Sequence, residues 1–167
     1  MFNYKIIALR LFCYIFAIFA VIINVTNIKI IGINSLIPSF EIMIIFYAMM
    51  ISNFFGIWFV FILGIWSDAL NSTHLGISSL SYIIVIKFFH LLYEKFLEKE
   101  NFAQILLHFS IFIILFQFLK TIFLTIIDKH LYNISHLIIQ ISLTISLYPM
   151  LHYFFNYLDS KIKEDID

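Results

Sequence analysis

The side chains able to do chemistry in this sequence are few, and most stand inside apolar runs, where a charge costs about 2.5–3.5 kcal/mol at a helix centre. Gly56, Val60, Gly64 and Asp68 recur at i, i+4, i+8 and i+12, which aligns small residues on one helical stripe ending in a carboxylate. Such a stripe lets two helices approach closely. Asp68 falls near the C-terminus of its helix, where the macrodipole disfavours negative charge. Other donors must hold it, and the N–H groups of the turn Asn71-Ser72-Thr73-His74-Leu75-Gly76 are the nearest; accepting them would fix the entry of the next helix. The functional reading of the same residue is a polar anchor for an outer substrate pocket or a partner surface.

A second polar set, Ser110, Gln117, Thr121, Thr125 and Asp128, falls within about 80° on a helical wheel, with Lys120 roughly 60° from its edge. That face points into a bundle or towards a partner, as a hydrogen-bonded helix contact or as a substrate-coordinating wall. Lys87, His90 and Glu94 lie at i, i+3 and i+7, where snorkelling to an interface accounts for them. Glu41 follows Pro38 in the first turn of an apolar segment, an arrangement local physics favours and that requires no special role. The six histidines show no i, i+4 pair with a nearby acid. His74, His130 and His136 approach one face, the one place for a surface metal, but no metal ligand set is expected. Without a Ser-His-Asp order, a Walker loop or a dinucleotide fingerprint, the expectation is a protein that is not an enzyme and carries no cofactor.

The elements that must position these groups follow from composition. Of 167 residues, 63% are hydrophobic and 12% charged, with 10 basic and 10 acidic residues and no net charge. A soluble domain has about 25% charged residues, so a water-soluble globule is excluded, and no basic face exists for nucleic acid. At about 20 residues per span the chain holds six transmembrane segments, near residues 6–25, 37–52, 54–69, 75–93, 102–127 and 135–157. The expected fold is an all-α polytopic membrane bundle forming a single domain over 1–167. The Ser52-Asn53 joint predicts that the second and third segments form an antiparallel hairpin. The lone cysteine, Cys13, is expected to pack as a small apolar residue. The basic-then-apolar start lacks a small-x-small cleavage site and reads as a retained first helix. Asn24, Asn71 and Asn133 each head a glycosylation triplet, which chance explains in so Asn- and Ser-rich a chain.

Counting Lys and Arg near segment ends, Lys5, Arg10, Lys95, Lys99, Lys161 and Lys163 fall on one side and Lys29 and Lys129 on the other. Both termini are then cytoplasmic, and the loops near 26–36, 70–74 and 128–134 are external.

The stretch Ile37-Pro38-Ser39-Phe40 before an apolar helix, then Gly64-Ile65-Trp66-Ser67-Asp68 through Leu75-Gly76 before another, resembles the rod shape-determining MreD family. The matching positions are Pro38, Gly64, Asp68, Leu75 and Gly76, and Pro149 is similar to that family's late proline. The resemblance implies a non-enzymatic subunit of the bacterial inner membrane within the rod elongation machinery. Its implied partners are an MreC-like scaffold, the actin-like MreB and the elongation peptidoglycan synthases, and its implied role is in lateral wall synthesis and rod shape. It also implies a likeness in fold to the substrate-binding subunits of energy-coupling-factor transporters. The alternative function is therefore a vitamin or metal uptake subunit. Against that alternative, the first helix has Ala8, Ala17 and Ala20 but no Ala-x-x-x-Ala pair.

Overall fold

The computed structural model describes residues 3–25, 38–52, 55–93, 101–129 and 134–164. These form six helices and no strand: α1 (Asn3–Val25), α2 (Phe40–Phe46, continued by a π-helical turn Tyr47–Ile51), α3 (Ile57–Leu70), α4 (Ile77–Tyr93), α5 (Phe102–Asp128) and α6 (Ile134–Glu164). By length and composition, Phe102–Asp128 and Ile134–Leu158 suffice to cross a membrane, and the remaining apolar helices are shorter. α6 runs beyond its expected end into the charged residues up to Glu164.

α2 is the axis of the molecule. Every residue from Glu41 to Met50 is buried. It packs chiefly on α1, with α5 and α6 beside it, whereas α3 packs chiefly on α4 and then α1. The hairpin expected from Ser52-Asn53 is therefore corrected: α2 and α3 are consecutive but not principal neighbours, and Asn53 lies outside the described residues. The reason is physical. Gly64 lets α3 close on α4, while the Phe46 ring packs on Phe109, Phe112 and Tyr148 and draws α2 to α5 and α6.

Phe46 centres the core, with Phe109 and Phe112 at 5.3 Å and Tyr148 at 5.7 Å between ring centroids. Phe109 and Tyr148 stack at 3.9 Å, joining α5 to α6. Cys13 is buried with Ala17, Ala20 and Val21 in the same core, which draws residues from all six helices. The outward sides are apolar too, including Phe12, Ile15 and Phe19 on α1, Leu107, Ile114 and Phe118 on α5, and Ile138, Met150 and Phe154 on α6. Surfaces so widely apolar mark contact with lipid or protein.

Helix ends follow local rules. The Asn101 N–H donates to Gln104 Oε1 at 3.0 Å at the start of α5, and Lys129 ends it in a left-handed conformation with φ 52°. Pro149 sits inside α6, where it withholds a donor from the Ile145 carbonyl.

Candidate functional site

At the end of the bundle carrying Asp68, two polar constructions lie side by side. The first is the turn between α3 and α4. Asp68 is completely buried. Its Oδ2 accepts the N–H groups of Gly76 and Ser78, both at 2.9 Å, and its Oδ1 accepts the Thr73 hydroxyl at 3.2 Å. The Thr73 N–H closes onto the Asp68 carbonyl at 3.0 Å. This is the arrangement the sequence predicts for a carboxylate at that helix end, with Ser78 added as a donor. Gly76 has φ +95°, a conformation only glycine adopts without cost, and it aims the Gly76 N–H at the carboxylate. His74 reaches across to α5, where Nε2 lies 2.7 Å from Asp128 Oδ1 on the exposed rim.

Below the turn, Gly64 sets the crossing of α3 on α4. A methyl group there would come within 2.6 Å of Ser79 Oγ and 2.7 Å of Ser79 Cα, so the absent side chain is what lets the helices touch. Ser79 then donates to the Phe61 carbonyl at 2.7 Å. The small-residue stripe holds at Val60 and Gly64, both buried, but not at Gly56. Gly56 is exposed and precedes α3 in an extended conformation, because the helix starts one residue later, so its assignment to the contact stripe is corrected.

The second construction is a cavity of about 300 Å³ whose wall includes Asn24, Ser39, Glu41, Gln117, Lys120 and Gln140. Thr121 and Thr73 also reach it. Gln117 Nε2 donates to Gln140 Oε1 at 3.4 Å and Gln140 Nε2 to Ser39 Oγ at 3.0 Å, while the Ser39 N–H donates to Thr144 Oγ1 at 3.0 Å. This relay binds α5, α6 and the start of α2. Glu41 accepts the Tyr82 hydroxyl on Oε1 at 3.1 Å, and Tyr82 is itself stacked on Phe116 at 4.2 Å. Glu41 Oε2 and Asn24 Oδ1 are buried with no hydrogen-bond partner among the described residues. The Lys120 ammonium lies 5.9 Å from the centre of the Phe116 ring, a cation–π placement.

The sequence-predicted residues thus separate. Gln117, Lys120 and Thr121 come together at the cavity, whereas Ser110 turns back onto the Leu106 carbonyl at 2.8 Å and Asp128 stays on the rim. Thr125 borders an apolar groove with Ile122 and Ile138, so the five-membered polar face of α5 is not one surface, because 27 residues carry it past several neighbours. Pro38 lies half-buried just before α2, its carbonyl accepting the Phe40 N–H at 2.9 Å. Pro149 is half-buried within α6. Leu75 is exposed and borders an apolar groove with Gly76, Leu80 and Phe123. Lys87 and His90 are exposed; Glu94 and His130 lie outside the described residues. Among the described residues, no group of three His, Cys, Asp or Glu is placed to hold a metal.

Sequence reasoning passed over Glu41, Ser39, Gln140 and Thr144. The available signal was Gln140 and Thr144 at i, i+4 on the last span, on one face of a helix. Glu41 was hidden by its place after Pro38, which made an ordinary N-terminal acid of it.

No curated protein and no solved structure matches the chain. A family model described as rod shape-determining protein MreD matches residues 4–158, which include the Pro38, Gly64, Asp68, Leu75, Gly76 and Pro149 positions. By that match over nearly its whole length, the chain belongs to the rod shape-determining protein MreD family.

Proposed function

We propose that the chain is a multi-pass, non-enzymatic subunit of the bacterial inner membrane with both termini cytoplasmic. It captures an MreC-like scaffold at its outer end, supporting lateral peptidoglycan synthesis and rod shape. MreB and the elongation synthases would join through that scaffold. The reading draws on membership in the MreD family, and on the Lys and Arg count, which assigns the Asp68 end to the outer face. The single observation that carries it is the turn locked by Asp68, a rigid polar rim beside an open cavity at that end. Rigid elements hold a binding surface better than loops do, and here one buried carboxylate rigidifies the loop. The exposed apolar sides of α1, α5 and α6 would meet lipid and the scaffold's own transmembrane helix.

Affinity capture of the tagged chain from native membranes in mild detergent, with mass spectrometry of what co-purifies, tests this. Recovery of a periplasmic coiled-coil scaffold with wall synthases is expected, and Asp68→Ala reduces it at equal membrane abundance. Recovery of paired ATPases with a transmembrane coupling subunit would instead establish the uptake-subunit alternative. Undiminished capture together with unchanged thermal melting of Asp68→Ala would remove the turn from the binding mechanism.

A further inference from the structure

We infer that the cavity beneath the Asp68 turn is a binding site for a small zwitterion, a molecule of amino-acid size with an ammonium and a carboxylate group. The inference does not depend on the scaffold reading, because it concerns the chain alone. Its starting point is an unmet hydrogen-bonding demand. Glu41 is 5% exposed, and only one of its oxygens is used, by Tyr82. Oε2 has no partner among the described residues, and Glu41 lines the cavity. A buried carboxylate oxygen without a donor is costly. The Ser67 hydroxyl, itself buried without a strict hydrogen-bond partner among the described residues, stands beside the Glu41 carboxyl; what Oε2 lacks is a charged donor. Asn24 Oδ1, on the same wall, is likewise buried and without a partner, although its amide can present either end to an occupant.

A cation stands nearby and its charge reaches Glu41, but it makes no hydrogen bond to Oε2. Lys120 lines the same cavity, but its ammonium is placed over the Phe116 ring rather than in hydrogen-bond contact with Oε2. The wall therefore offers an acceptor of negative charge and, apart from it, a positive donor. A bare cation would satisfy Glu41 but meet Lys120 as a like charge, and a bare anion would do the reverse. A molecule carrying both charges satisfies both. The side-chain amides of Gln117 and Gln140 add neutral polar edges. A volume of about 300 Å³ corresponds to roughly ten waters at ~30 Å³ each, room for an amino acid or a short dipeptide but not for a folded element.

The test uses the full chain purified alone in detergent and titrated calorimetrically with L-alanine, L-alanyl-L-alanine, ethylammonium chloride, sodium propionate and sodium chloride. Saturable binding of at least one zwitterion is expected, with weaker binding of ethylammonium and none of propionate or sodium chloride. Glu41→Gln keeps an amide oxygen for Tyr82 and should weaken zwitterion and ethylammonium binding about tenfold or more, the scale of a lost charge-assisted hydrogen bond. Lys120→Met should weaken the zwitterion and, by removing a like charge, strengthen ethylammonium. Absence of saturable binding by both zwitterions, or binding of propionate in preference to ethylammonium, overturns the inference. So does undiminished zwitterion binding by Glu41→Gln. Should Glu41→Gln fail to fold, the wild-type series and Lys120→Met decide alone, since each distinguishes a two-charge site from a water-filled gap.

Discussion

At the scale of single residues, Asp68, Gly76 and Gly64 divide one task. Asp68 collects three donors, Gly76 takes the backbone angle that brings one of them in, and Gly64 clears the space in which α4 can meet α3. Two substitutions separate these roles. Gly64→Ala forces a methyl group against Ser79 backbone atoms as well as its hydroxyl, so destabilisation of about 1–3 kcal/mol from overpacking is expected, and trimming Ser79 to glycine should not restore it. Gly76→Ala meets nothing within 4 Å, so its cost is conformational alone, about 1–2 kcal/mol for a left-handed non-glycine residue. Thermal melting of both variants in detergent, with Ser79→Gly added to the first, checks the distinction; full rescue by Ser79→Gly would contradict the backbone origin of the Gly64 clash. Asp68 and its turn were legible in the sequence because every participant lies within ten positions of the carboxylate. Glu41 was not legible, since its meaning comes from Tyr82, 41 positions away, and from Lys120 on another helix. An acid after a helix-starting proline looks the same whether it faces water or a cavity.

At the scale of elements, the six helices were readable from apolar run lengths, but their neighbours were not. Run length reports how much of a helix is buried or in lipid; it carries no address for what covers it. α2 shows the difference, since an apolar run suits lipid as well as protein, yet α2 is buried among other helices while its sequence neighbour α3 packs elsewhere. The π-helical turn at Tyr47–Ile51 has no signature in the sequence either. It occurs where Tyr47 enters a polar chain along α6: the Tyr47 hydroxyl donates to Asn156 Oδ1 at 3.0 Å, and Asn156 Nδ2 lies 2.9 Å from His152 Nε2. Helix widenings of this kind accompany local rearrangement of the hydrogen-bond ladder, and here the rearranged residues end the one helix that has no solvent side. Tyr47→Phe keeps the ring stacked on Phe155 at 5.0 Å and removes only the hydroxyl. A loss of about 0.5–1.5 kcal/mol is expected from the broken hydrogen bond, read as a lowered melting temperature with helix content unchanged by circular dichroism. No change in melting would mean that the Tyr47 hydroxyl adds nothing to an α2–α6 contact held by ring packing and by the Ser39 hydrogen bonds.

For the whole molecule, the central question is which end faces outward, because the proposed scaffold contact and the cavity both lie at the Asp68 end. The charge count favours that end as external by six basic residues to two, a preference rather than a geometry. Two positions turn it into one. Lys129 and Ser160 are exposed and sit beyond the start and near the end of α6 respectively, so they lie at opposite ends of the bundle. The native Cys13 is 1% exposed, which leaves an introduced thiol as the accessible one. In intact cells, a membrane-impermeant maleimide should label Lys129→Cys and spare Ser160→Cys, which reacts only after permeabilisation. The reverse pattern would invert the molecule and move the polar cavity to the cytoplasmic face, where a periplasmic scaffold could not reach it. Labelling of both thiols from outside would mean that α6 does not cross, despite 25 residues long and apolar enough to do so. Only the first pattern leaves the Asp68 turn, the cavity and the partner on one side of the membrane.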